Sequence, residues 1–374
     1  MKGLASLLLI VVATLALAVV ASAAPPTVDA NAYLVQNGVT GEVLAADDER
    51  ERLPMASITK LMTAVVAIEH APLDGVATIS RRTASVGEST IYLRPGERVS
   101  LRDLIRAALV QSANDAAHAI AAHVGNGSVA RFVDLMNERA RRLQLSDTHY
   151  VNPDGLDAPG HVSSARDVTR LALEAMRVPF IRDTVRLVDT TAAGRRLHTW
   201  NDLLTTFPQV FGVKTGHTND AGWSEVAAAR AGGVTIYATL LGGQTREGRN
   251  ADLTELLAWG LSRYRTVWAI DGERGYGTVR TPYGRPAVRL VAAQPALRIV
   301  RVDRTLVERV VVPVEAALPV RRGQPFGEVQ VLDRGRVIAR SPLVAANTVD
   351  RPGRSGRVRF YFGRTIDHLG GIFG

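Results

Sequence analysis

The sequence predicts an α+β fold, an antiparallel sheet with a helical cluster, followed by a small all-β domain. Strand-like stretches occur early, around residues 31–44, and again across residues 210–241, with helically spaced apolar positions between them. Strands and helices that are segregated along the chain, rather than strictly alternating, indicate α+β architecture and antiparallel pairing. From Val267 onward helical periodicity disappears, and short valine-rich runs punctuated by Gly and Pro take over. The chain has 374 residues, enough for two domains and a substantial core.

The first 23 residues stand apart. Lys2 precedes an uncharged apolar run, Leu4 to Val20, and then Ala21-Ser22-Ala23. A short basic start, an apolar stretch and a small-x-small site read as a signal peptide cleaved after Ala23. The alternative is an uncleaved transmembrane anchor, because the run approaches spanning length. Pro25-Pro26 favours cleavage, and either reading takes the body out of the cytoplasm.

Asn31 to Leu44 alternates around a turn at Gly38 and reads as a β-hairpin. After Pro54 the apolar run Ile58 to Ile68 has helical spacing, so Ser57 stands at a helix entrance and Lys60 one turn inside it. Leu101 to Val124, Ser128 to Leu143 and Ser164 to Met176 read as helices. Val210–Val213, Trp223–Ala229 and Val234–Leu241 read as strands, and Leu253 to Tyr264 as a closing helix. Arg309-Val310-Val311-Val312 and Glu328-Val329-Gln330-Val331 typify the all-β region.

Residues 357–374 are expected to form an amphipathic helix on a membrane surface. At about 100° per residue, Val358, Tyr361, Phe362, Ile366, Leu369, Ile372 and Phe373 fall within an arc of roughly 140°, with Phe360 the apolar misfit. Nearby arginines add attraction to anionic headgroups. The alternative is a disordered basic tail, since Gly363, Gly370 and Gly371 weaken a helix.

Composition narrows the function classes. There is no cysteine, so disulfides and Cys-ligated zinc are excluded. The net charge is +9 and the pI about 10.3. For an exported chain this points to anionic lipid or wall polymer and away from nucleic acid. Of 45 basic residues only three are lysines, Lys2, Lys60 and Lys214. Arginine cannot give up its proton in a protein, whereas a buried lysine can become a neutral base.

Both lysines of the body lie in motifs. Ser57 and Lys60 are three apart and share a helix face. Ser57 has free backbone N–H groups and a positive dipole end beside it, which suits a nucleophile whose product is an oxyanion. Lys60 is then its base, if burial and the second cation, Lys214, lower its pKa. Ser112 and Asn114 are two apart, a spacing that does not face one way on a helix. The motif therefore implies a loop between two helices, with Ser112 placed to relay a proton and Asn114 to hold a substrate amide. Lys214-Thr215-Gly216 ends a strand that can pair with an extended peptide, and Lys214 and Thr215 can bind a carboxylate. Gly216 lets a substrate backbone come close.

These three motifs in this order resemble the serine penicillin-interacting enzymes. Nearly the whole chain is similar to the D-alanyl-D-alanine carboxypeptidases of the low-molecular-mass penicillin-binding class, peptidase family S11. Leu93-Arg94-Pro95-Gly96, Gln111 to Ala116, Gly155-Leu156-Asp157, Ser163 to Asp167, Lys214 to Thr218, Gly242-Gly243 and Gly248-Arg249 carry the resemblance. It implies the serine β-lactamase/penicillin-binding-protein-like transpeptidase fold and no cofactor or metal. It implies residues 1–23 as signal peptide, 24–266 as catalytic domain, 267–350 as a C-terminal all-β domain and 351–374 as a membrane-anchoring tail.

By the same resemblance Ser57 forms the acyl-enzyme, with Lys60 as base. Ser112 and Asn114 assist proton transfer and substrate binding. Lys214, Thr215 and Arg249 surround a terminal carboxylate, and the backbone N–H groups of Ser57 and His217 form the oxyanion hole. The implied partners are peptidoglycan stem peptides ending in D-Ala-D-Ala, β-lactams as inhibitors and the outer face of the cytoplasmic membrane. The stretch Phe207 to Phe211 departs from the family's more polar one and is expected to bear on substrate access. Two rivals remain. A class A β-lactamase would carry Ser-Asp-Asn at the second motif, where this chain has Ser-Ala-Asn, and would lack the extra β domain. A non-catalytic wall-binding protein would not need Ser57, Lys60, Ser112, Asn114 and Lys214 together.

Overall fold

A computed structural model of the chain describes residues 8–15 and 24–370. They form two compact units, one of residues 24–262 and one of residue 263 onward together with 8–15. Strand β1 (Leu8–Leu15) therefore belongs to the second unit.

In the first unit, β2 (Ala32–Asn37) and β3 (Val43–Asp47) form the hairpin expected around Gly38. A short 3-10 turn, Ala56–Thr59, leads into α1 (Lys60–His70). Every residue of α1 from Lys60 to Ala67 is buried. A helix apolar all round can only sit inside the core, and this one carries Lys60 in with it. Each fully buried Leu, Val or Met on it contributes about 1.5–3 kcal/mol, so a charge at Met62 would unseat the helix.

The ribbon of β4 (Val76–Thr78) and β5 (Arg98–Ser100) brackets α2 (Arg81–Ala84). Next come α3 (Leu101–Val110), α4 (Asn114–Val124), α5 (Val129–Arg142) and α6 (Ala165–Ala175). Ser100, Ser128 and Ser164 start α3, α5 and α6, each accepting a hydrogen bond from the backbone N–H three residues on. The break between α3 and α4 falls at Ser112, which has φ +62°. The loop that the Ser112–Asn114 spacing demanded is there.

The unit continues with α7 (Pro179–Thr184), the hairpin β6 (Asp189–Ala192) and β7 (Arg195–His198), and α8 (Leu203–Thr206). Strands β8 (Val210–Thr218), β9 (Gly222–Ala231) and β10 (Val234–Gly243) then complete a five-stranded antiparallel sheet in the order β3-β2-β10-β9-β8. Strand β10 is buried along its whole length, because helices cover both faces: α6 packs on β10 and β2, and α9 (Arg246–Ser262) on β9 and β10. That double cover is why these strands read as apolar runs and not as alternating ones. The sequence placed the start of the closing helix at Leu253. The structure starts it at Arg246, where Thr245 caps it by accepting from Gly248 N–H at 3.0 Å. The polar first turn hid this start.

The second unit pairs β11 (Tyr264–Ile270) with a later strand and then runs through β12 (Gly275–Val279), β13 (Val288–Ala292), β14 (Ala296–Arg301), β15 (Leu306–Pro313), β16 (Pro325–Asp333) and β17 (Arg336–Ala345). One sheet has the order β1-β15-β16-β17-β13-β12, and β11 pairs with β14. Inward residues such as Val288, Leu290, Leu306, Val329 and Leu343 form a core of its own. Helix α10 (Arg354–Gly370) follows. The apolar N-terminal run is extended between Leu8 and Leu15 and pairs antiparallel with β15, Leu8 opposite Pro313 and Leu15 opposite Leu306. The expected cleavage site at Ala21–Ala23, and Ile372 and Phe373 of the expected apolar arc, lie outside the described residues.

Candidate active site

Ser57, Lys60, Asn114, Ser112 and Lys214 come from three separate stretches of chain and meet on one side of the first unit. Lys60, at the first position of α1, is fully buried. Its Nζ lies 2.7 Å from Ser57 Oγ, 2.7 Å from Asn114 Oδ1 and 2.6 Å from the Asp154 carbonyl oxygen. The Asn114 amide orientation is fixed because its Nδ2 donates to Gly87 O at 3.1 Å. Neither Asn114 Oδ1 nor a carbonyl oxygen can donate a hydrogen. A neutral Lys60 amine therefore spends its two hydrogens on those acceptors and turns its lone pair to the Ser57 hydroxyl.

Burial lowers the Lys60 pKa to about 8, outweighing the carboxylates of Asp154, Glu88 and Asp115, which pull it up. Burial also opposes ionisation of Asp154, but its hydrogen bond from His118 Nε2 at 3.0 Å and the charge of Lys60 hold its carboxyl below the usual value. His161 lies behind the 3-10 turn. Burial pushes its pKa down to about 4, so it is neutral at pH 7. Its Nδ1 accepts from Val151 N–H at 3.0 Å, which leaves Nε2 to donate to Thr59 Oγ1 at 2.8 Å. This tautomer locks the residue beside Lys60.

Two glycines hold the nucleophile's backbone from either side. Gly155 has φ +90°, and a Cβ there would stand 1.9 Å from Ala56 O. A Cβ on Gly216 would stand 2.9 Å from Met55 O and 3.1 Å from Ser57 N. The sequence assigned Gly216 to close approach by a substrate. The structure gives it a nearer reason, the protein's own turn. Ala56 (φ +48°) and Ser112 are both left-handed, a strain of about 1–3 kcal/mol each of the kind concentrated at reaction centres.

Strand β8 lies at the edge of the five-stranded sheet, with one side unpaired among the described residues. It carries Lys214, whose Nζ donates to Ser112 Oγ at 3.0 Å and to Thr215 O at 2.8 Å. Burial, and then the proximity of Lys60, hold the Lys214 pKa well below its usual value. A cavity of about 230 Å³ opens over Ser57, lined by Ser112, Thr215, Gly216, His217 and Arg249 and walled by Trp200, Trp223 and Arg246. Phe211 does not line it; this ring packs on the core under Arg230, 5.2 Å from the guanidinium. The exposed His217 ring stacks on Trp223 at 4.0 Å.

The sequence reading missed Glu225. It stands on β9 directly opposite Thr215, fully buried, with its Oε2 3.2 Å from Arg249 Nε. The signal was present: a carboxylate inside the apolar run Trp223–Ala229. It also missed Asp154, whose hydrogen bond with Lys60 is made by its backbone carbonyl and leaves no mark in residue type. Among the described residues no group of His, Cys, Asp and Glu is placed to hold a metal ion.

Comparison with known proteins follows the same lines. The family model of D-alanyl-D-alanine carboxypeptidases, Peptidase_S11, matches residues 19–245. The D-alanyl-D-alanine carboxypeptidase DacD of Salmonella typhimurium is 32% identical over 359 residues, covering 90% of this chain and 91% of that one. The crystal structure of penicillin-binding protein 5 from Haemophilus influenzae superposes with a TM-score of 0.65 at 27% identity, covering 88% of this chain and 100% of that one. The Streptomyces K15 DD-transpeptidase superposes with a TM-score of 0.62 at 30% identity, covering 64% of this chain and 100% of that one.

Proposed function

Because the chain belongs to the S11 family of D-alanyl-D-alanine carboxypeptidases, we propose that it removes the terminal D-alanine from peptidoglycan stem peptides through an acyl-enzyme on Ser57. The observation that carries this reading is the 2.7 Å contact between Ser57 Oγ and a buried lysine whose pKa has fallen to about 8. Lys60 takes the Ser57 proton as Oγ attacks the carbonyl carbon of the penultimate D-alanine. The resulting oxyanion is held by the Ser57 and His217 backbone N–H groups. The C–N bond then breaks and the proton that Lys60 took passes through Ser112, which Lys214 orients, to the leaving amine, so that Lys60 is neutral again. Water attacks the ester, Lys60 accepts its proton, and the shortened peptide leaves as its acid while Ser57 is restored. Asn114 fixes Lys60 and the substrate amide. Lys214, Thr215 and Arg249 receive the terminal carboxylate, and the free side of β8 pairs with the peptide backbone. A β-lactam enters by the same attack and remains on Ser57.

The same reading places the enzyme outside the cytoplasmic membrane, with α10 on the membrane surface and residues 1–23 removed, which takes away β1 and leaves β15 as the edge of its sheet. Val358, Tyr361 and Phe362 are 68%, 57% and 69% exposed, and Arg354, Arg357 and Arg359 are exposed beside them. Phe360, the misfit of the apolar arc, stacks edge-on against Tyr283 of its own unit at 5.9 Å. Tyr361 of the arc also meets Tyr283 edge-on at 6.1 Å, so the helix rests on its own unit, while Val358 and Phe362 are the part of the arc offered to lipid. No helix among the described residues is long and apolar enough to cross a membrane.

The test is intact-protein mass spectrometry after incubation with benzylpenicillin, followed by peptide mapping. The expected result is one adduct on Ser57. An adduct elsewhere, or none on folded protein, refutes the mechanism.

A further inference from the structure

Arg249 is shared between the cavity it lines and a buried carboxylate behind it. Glu225 Oε2 lies 3.2 Å from Arg249 Nε, with both side chains buried. The contact is close enough for charge attraction but not aligned as a hydrogen bond, and among the described residues neither Glu225 oxygen has a hydrogen-bond donor. The guanidinium is also held by Asn250 Oδ1, 2.6 Å from Nη2, and packs 5.7 Å from the centre of Trp223. Arg249 would therefore keep its place without Glu225.

The neighbouring charges are matched differently. Asp202 accepts from Arg246 at 2.6 and 2.8 Å and from Asn250 Nδ2 at 2.7 Å, and stands 3.8 Å from Arg249 Nη2. Asp202 is thus chiefly committed to Arg246. Among the described residues Glu225 is the remaining anion of the cluster and stands nearer to Arg249 than Asp202 does, while Lys214 and Arg246 pull on it more weakly than Arg249.

We propose that Glu225 is a positioning residue that partly cancels the charge of Arg249, so that the pocket grips a substrate's terminal carboxylate less tightly than an unopposed arginine would. This rests on the reading that Arg249 receives that carboxylate. The chemistry gives the device a purpose. The departing D-alanine carries the same carboxylate as the substrate. A grip of equal strength before and after reaction does not speed the chemistry and slows release. The arrangement is also sensitive to protons. Burial, against the pull of Arg249, raises the Glu225 pKa to about 7, so acidification neutralises it and frees the Arg249 charge.

The experiment compares kcat/KM for a peptide ending in D-Ala-D-Ala as free acid and as C-terminal amide, at about pH 6 and about pH 8.5. In the wild-type enzyme the acid-to-amide ratio should be about fivefold higher at the lower pH. In Glu225→Gln the ratio at the higher pH should already be raised about fivefold, through KM more than kcat, because the carboxylate's charge is gone while its shape remains. Protonation of Lys214 would account for any pH dependence left in that variant. Glu225→Leu, suited to a buried strand position, should behave like Glu225→Gln. A folded Glu225→Gln with the wild-type ratio, or a lower one, overturns the proposal. If both variants fail to fold, a wild-type ratio that does not change with pH overturns it. A wild-type ratio near one at both pH values is a different result: it removes the carboxylate reading of Arg249, and the role of Glu225 with it.

Discussion

Acylation of Ser57 should follow the deprotonation of Lys60, with a rate that climbs with pH, is half-maximal near pH 8 and levels off above it. The fall in Lys60 pKa from 10.5 to about 8 is worth about 3 kcal/mol against the ammonium form. At about pH 7 roughly one amine in ten is then neutral, against roughly one in three thousand for an unshifted lysine, a gain of about 300-fold in available base. Between about pH 6 and pH 8 the neutral fraction rises about fiftyfold, so the second-order acylation constant should rise by the same factor. The assay is stopped-flow or quenched acylation by benzylpenicillin, read by intact mass across that range. His161, at about 4, is silent there, and Glu225, at about 7, titrates within the range. The profile is therefore repeated in Glu225→Gln, where the Lys60 slope should remain. Lys60→Arg keeps a cation but has no lone pair to offer, and should lower the acylation constant by about 10²–10⁴. A flat profile between pH 6 and 8, or a folded Lys60→Arg within about tenfold of wild type, would mean that Lys60 acts only as a charge.

Three further outcomes are expected. Amidating the substrate's terminal carboxylate should remove most of kcat/KM in the wild-type enzyme and matter little in Lys214→Ala; equal penalties in both would place carboxylate recognition elsewhere. Gly155→Ala, whose Cβ would stand 1.9 Å from Ala56 O, should displace the Ser57 turn, lowering acylation at least tenfold and destabilising the fold by about 1–3 kcal/mol in thermal or denaturant unfolding; wild-type behaviour in both would show that the turn yields freely. Deleting residues 351–374 should move the protein from the membrane to the soluble fraction, and unchanged membrane association would transfer the anchor to the N-terminal segment.

What was legible in the sequence was what local spacing determines. Ser57 and Lys60 are one helical turn apart, so their contact follows once a helix starts there. The spacing of Ser112 and Asn114 is incompatible with one helix face, and the break it required appears at a left-handed Ser112. What was not legible depends on partners far away in the chain. Strand β2 finds its neighbour in β10, Ala32 opposite Leu241, and periodicity is silent on that pairing. The ribbons β4–β5 and β6–β7 are too short to show alternation. Phe360, outside the tail's apolar arc, meets Tyr283 from another part of the β unit, a contact that helical periodicity does not register.

Glu225 marks the boundary between the two kinds of information. Its sequence context says only that a carboxylate interrupts a buried strand, a local conflict that a fold retains when something nearby requires it. The structure supplies the reason in two contacts across different elements: Thr215 beside it on β8 and Arg249 above it on α9. An apolar residue at 225 would relieve the desolvation but leave Arg249 with no counter-charge of its own, since Asp202 is engaged by Arg246. Desolvation outweighs the attraction of Arg249, which is why the Glu225 pKa is raised, so the pair does not by itself hold the fold together. The buried glutamate is therefore explained by the arginine, and the arginine by the pocket it lines.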